Sequence, residues 1–159
     1  MSKKFRKGAV GALLDEYERA IEDLKKCIEP IPDEDLSKII DPDTADENCR
    51  SVQTILTHVV HSAYGYATSI YNSKGHTAAR PGKTFHTTSE LYFQDLARVF
   101  TFTEFVFKDL EDQELEQPDE TLKIKTGWGQ LYDIEQLTEH AIVHILRHRR
   151  QIERLYFNK

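Results

Sequence analysis

The stretch "VGALLDEYERAIEDLKKCI", residues 10–28, carries apolar side chains at Val10, Leu13, Leu14, Tyr17, Ala20, Ile21, Leu24, Cys27 and Ile28. Steps of three and one place them all on one stripe of an α-helix, which turns once in about 3.6 residues. Most of the intervening positions are charged. The segment therefore reads as a helix with one wet face and one face to bury against other elements. "EPIPDEDL" ends it, because Pro30 and Pro32 cannot continue a helix.

The same period recurs three more times downstream. After the polar connection "DPDTADENCR", Ser51 is a plausible N-cap for a second helix running to about Ser73. Its buried face is expected to comprise Val52, Ile55, Leu56, Val59, Ala63, Tyr66 and Ile70. "NSKGHTAARPGK" breaks the pattern with two glycines and a proline. A third helix is expected from about Ser89 to Leu110, rich in aromatics: Tyr92, Phe93, Phe100, Phe102, Phe105 and Phe107. One stripe cannot bury that much aromatic surface. Either a second subunit covers part of it, making a homodimer, or the other helices enclose it from several sides.

In "DETLKIKTGWGQLYD" the alternation of Leu122 and Ile124 and the Gly127–Trp128–Gly129 turn suggest a short extended segment. Asp133 then caps a last helix, with Gln136 three residues on completing a capping box. The expected fold is an all-α, antiparallel four-helix bundle with long connections, forming one domain over residues 1–159.

The totals suit that architecture. With 159 residues the chain is long enough for one sizeable core, and 39% hydrophobic with 30% charged residues is ordinary globular composition. The net charge of -6 argues against non-specific nucleic-acid binding, which needs a basic surface. The cluster Arg147, His148, Arg149 and Arg150 spreads around its helix instead of forming a stripe. No segment reaches the length of a membrane span, and no secretory signal is apparent, so a cytoplasmic location is expected. Cys27 and Cys49 form neither a CxxC pair nor a disulfide framework, and read as small hydrophobes or surface thiols.

Chemistry is concentrated in "EQLTEHAIVHILRHRRQIERL", residues 135–155, where His140, His144 and His148 recur every four residues. At about 100° per residue, His144 and His148 lie about 40° apart, in the middle of the core-facing stripe. Gln151 is on the same line, and His140 falls toward the polar flank as a rim residue or alternative ligand. An i, i+4 imidazole pair can converge on one metal ion. On the second helix, "THVVHSAYGY" offers His58 at the edge of the apolar stripe as a third ligand, whereas His61 turns toward solvent. The competing reading is a set of hydrogen-bonded core histidines with no metal. His76 and His86 fall in loops and carry no signal.

"SVQTILTHVV" at 51–60 and "YDIEQLTEHAIVHILRHRRQI" at 132–152 resemble the DinB-like (YfiT-like) superfamily of bacterial four-helix bundles. The family pattern has a histidine after a leucine-rich stretch on the second helix and HxxxHRxQ on the last. Here His58, His144, His148, Arg149 and Gln151 occupy those positions, while Arg150 stands where many members have glycine. The resemblance implies a divalent metal, usually nickel or zinc, held by His58, His144 and His148. It further implies small-molecule chemistry: transfer to or from a low-molecular-weight thiol, or hydrolysis. Glu139, Tyr66 and Arg149 are the candidate helpers. The alternative is a non-catalytic, metal-stabilised, stress-related binding bundle that is dimeric.

Overall fold

Four helices form where the apolar period predicts them, in a computed structural model that describes residues 4–158. α1 spans Gly8–Ile28, α2 Val52–Ser73, α3 Ser89–Phe107 and α4 Ile134–Ile152. The capping signals work as expected. The Ser51 side chain accepts from the Thr54 backbone, and Thr54 returns the bond to the Ser51 backbone N–H. Asp133 and Gln136 do the same at the start of α4, at 2.8 and 3.0 Å. The extended excursion is a two-residue ladder in which β1 (Ile124–Lys125) pairs antiparallel with β2 (Leu131–Tyr132). Gly129, at φ +94°, supplies the left-handed residue of the intervening turn.

Side-chain contacts fix how the helices run. On α2 and α3, Thr57 meets Tyr92, Tyr64 meets Phe102 and Tyr71 meets Phe105, so these two helices are parallel. On α1 and α4, Tyr17 lies beside Thr138 and Ala141, and Asp23 faces Arg149, so they too are parallel. The two pairs oppose each other: His58 meets His148 while Tyr66 meets His140, and Val10 meets Asp112 while Tyr17 meets Phe100. Two helices thus run each way, with parallel partners side by side.

Parallel neighbours need a long return. Residues 74–88 supply it as a strap running back along α2. Asn72 exchanges two hydrogen bonds with Ala78, Arg80 crosses Gly65, Thr57 donates to the Thr84 carbonyl and Gln53 to that of His86. Strap and hairpin together enclose one flank of the α2–α4 pair.

The core is continuous, with Leu24, Ile28, Ile55, Leu56, Leu96 and Ile152 fully buried at its centre. Every expected apolar residue of α2 is buried except Tyr66, which is half-buried. Of the α3 aromatics, Tyr92, Phe100 and Phe107 are enclosed by the other helices. Phe102 and Phe105 remain on the outer α2–α3 face beside Tyr71, with Phe105 45% exposed. Among the described residues, no helix is long and apolar enough to cross a membrane.

Candidate metal centre

The antiparallel packing of α2 on α4 puts the first third of α2 beside the second half of α4. His58 thereby joins the histidines of α4. Its Nε2 lies 3.1 Å from His144 Nε2, which is 3.2 Å from His148 Nε2. One donor atom from each of the three falls within 4.8 Å of the others. His148 is buried and 6% exposed, whereas His58 and His144 are half-buried.

Gln151, one turn beyond His148, fixes its tautomer. The Gln151 Oε1 accepts from His148 Nδ1–H at 2.8 Å, so Nε2 keeps its lone pair and faces the cluster. A single proton on His144 Nε2 can satisfy only one of its two close neighbours, leaving a buried lone pair unmatched. Burial, reinforced by His148, holds the His58 imidazole down to about 4. Burial and the two neighbouring imidazoles push His144 down to about 3, and burial lowers His148 as well. All three are neutral near pH 7.

Neutral imidazole nitrogens are what a borderline divalent ion requires. Nitrogens bonded about 2.0–2.1 Å from one ion lie about 2.8–3.4 Å apart between octahedral and tetrahedral angles. The observed 3.1 and 3.2 Å fall inside that interval. The residues present therefore fit a metal, and the arrangement allows metal binding.

His140 lies at the rim, as its helical angle predicts. Its ring stacks on Trp128 at 4.6 Å and stands 6.4 Å from the His144 ring. Tyr66 stands nearly perpendicular to both the His140 and His144 rings, at 5.4 and 5.7 Å. Burial raises its phenol pKa, keeping the hydroxyl protonated as a donor. Tyr66 and Trp128 border a cavity of about 440 Å³ between α2, the strap, the hairpin and α4, with His58 in its wall.

Two expected helpers are elsewhere. Arg149 turns from the cavity toward α1, pairing with Asp23 there at 3.6 Å and with Glu153, one turn on in its own segment, at 3.3 Å. Glu139 is exposed and does not line the cavity. Arg150 points outward, sharing a surface groove with Arg147 and Arg154. The four residues 147–150 point in different directions, as expected: His148 is buried, Arg149 is half-buried against Asp23, and Arg147 and Arg150 are exposed. His61 is half-buried near Arg80 and Lys83 rather than fully solvated. His86 pairs with Asp95 at 2.6 Å, and His76 stacks on Tyr71 at 3.9 Å.

The loop before α2 backs the site with residues that carry no sequence signal. Cys49 Sγ donates to Asp46 at 3.6 Å, and Gln151 also bonds this thiol. Burial raises the Cys49 pKa, so the thiol stays protonated. Asp46, held ionised chiefly by the Asn48 backbone N–H, adds a negative field at His58 and His148.

Fold and site together define a three-histidine, four-helix-bundle protein suited to a divalent ion. The sequence model of the DinB family matches residues 1–155, and the chain belongs to that family. No curated protein and no solved structure matches it.

Proposed function

We propose that the protein binds nickel or zinc through His58, His144 and His148, and uses it on a small molecule, transferring a group to or from a low-molecular-weight thiol or hydrolysing a bond. The observation that carries this reading is the neutral His144 Nε2 set 3.1 and 3.2 Å from those of His58 and His148, with His58 in the wall of an open cavity. A divalent ion among neutral imidazoles keeps its full charge and lowers the pKa of a coordinated thiol or water.

The chain's own residues do the remaining work. Gln151 holds His148 in the ligating tautomer. Tyr66 offers a protonated phenol at the cavity wall, and Trp128, stacked on His140, adds an aromatic surface beside it. Among the described residues, no carboxylate and no cysteine lines the cavity. A thiol taking part in the reaction therefore comes with the substrate.

The same lack of a lining carboxylate favours the second reading, a non-catalytic metal-stabilised bundle, because no acidic side chain stands by as a general base. The homodimer belongs to both readings, through the outer face carrying Phe102 and Phe105. The deciding experiment offers activated electrophiles, with and without small thiols, to metal-loaded and chelator-treated protein. Turnover that needs the metal supports the enzyme. Equal background rates in both preparations favour the binding bundle.

A further inference from the structure

We propose that the cavity selects ligands carrying a small planar anion, a carboxylate, which Arg80 holds while a flat apolar body rests against Trp128 and Tyr66. The inference deepens the metal reading of the same site and rests on it only for the end of the cavity at His58.

Arg80 belongs to the strap, yet its guanidinium lies in the cavity wall across the bare backbone of Gly65. A Cβ on Gly65 would stand 2.7 Å from one guanidinium nitrogen and 3.2 Å from Arg80 Cδ. The absence of a side chain at 65 is thus what lets the arginine settle there. Among the described residues, Arg80 makes no ion pair, in a chain with 27 acidic residues against 21 basic ones. No carboxylate lines the cavity to compete for it. Lys83, three residues along the strap, bonds the neutral Asn48 side chain, at 2.5 Å. Arg80 acts against burial on the Tyr66 phenol in the cavity wall, and with Lys83 it depresses His61, after burial, beside the strap.

The aromatic part of the lining suits a flat body. Trp128 is 49% exposed, stacks on His140 and meets Tyr66 edge-on at 6.4 Å. Thr68, one turn along α2 from Gly65, also lines the cavity at 7% exposure, and its hydroxyl makes no hydrogen bond to the described residues. A planar, forked guanidinium matches a carboxylate better than it matches a neutral amide or alcohol.

Trp128 is the one tryptophan of the chain, so its fluorescence reports this cavity alone. Full-length, metal-free protein is titrated with phenylacetate, phenylacetamide and phenyl phosphate, with calorimetry in parallel. Phenylacetate is expected to bind about tenfold more tightly than the amide. Arg80→Gln should remove that preference and leave amide binding unchanged. Gly65→Ala, which displaces the guanidinium without a backbone clash, should weaken the acid selectively while the melting temperature holds. Equal affinity for acid and amide, a preference that survives Arg80→Gln, or no binding of any probe overturns the proposal. Tighter binding of phenyl phosphate than of phenylacetate overturns the assignment to a carboxylate. The titrations are repeated after zinc loading. If zinc does not bind but the Arg80-dependent preference persists, the metal reading fails and the anion site stands.

Discussion

Replacing Gln151 with leucine isolates the one hydrogen bond that prepares His148 as a ligand. The wild-type Oε1 accepts from Nδ1–H at 2.8 Å, on a ring that is 6% exposed. At that burial, water replaces the lost acceptor poorly. The Nδ1–H is left unpaired, or its proton moves to Nε2 and must be displaced before a metal binds. An unmatched buried donor costs about 1–3 kcal/mol, and loss of such an outer partner typically weakens metal affinity about tenfold to a hundredfold. The ion itself touches none of the atoms removed. The assay is competition for zinc against a chelating indicator at about pH 7.5, above the ordinary histidine pKa. Gln151→Leu should weaken affinity by the stated range, and Gln151→Glu, which keeps an acceptor, should restore most of it. Affinity for the leucine variant within about twofold of wild type would refute the tautomer argument.

Acidification should destabilise the metal-free protein through the same cluster. His58 and His144 are lowered to about 4 and about 3, whereas unfolded histidines titrate near 6.5. Below pH 6.5 the unfolded chain therefore binds protons that the folded chain refuses, so stability falls as pH drops toward 5. Urea midpoints of metal-free protein between pH 7.5 and 5 should decline, and the decline should be shallower in His144→Leu; parallel curves would contradict this. Asp133→Ala removes the α4 cap and should cost about 0.5–2 kcal/mol in urea unfolding, with zinc affinity retained because the ligands sit more than two turns away. A large loss of zinc affinity in that variant would show that the start of α4 positions the site.

Much of the fold was legible because burial demands period. The stripe from Val10 to Ile28, the Ser51 and Asp133 caps and the hairpin around Gly127–Gly129 all appear where the sequence places them. Helical angle also ranked the histidines of α4, setting His144 and His148 inside and His140 at the rim. Direction was less accessible. A stripe says which face is buried but not whether its neighbour is parallel, and the pairing of α2 with α3 follows from contacts such as Tyr71 with Phe105. Arg80 was invisible for a related reason. It lies in a strap without period, and only the bare backbone at Gly65 explains where its guanidinium rests. Arg149 misled because motif position does not fix side-chain direction; Asp23 on α1 draws it away from the cavity. Asp46 and Cys49 reach the site through the fold of a polar loop, which no spacing in the sequence announces.

The central claim is that three histidines from two helices hold one divalent ion. Elemental analysis of protein purified without a metal-affinity tag, then dialysed and compared with His58→Ala and His148→Ala, tests it most directly. About one equivalent of nickel or zinc per chain is expected in the wild type, with most of it lost in each variant. Undiminished metal in both variants, or none in the wild type even after loading, would contradict the account.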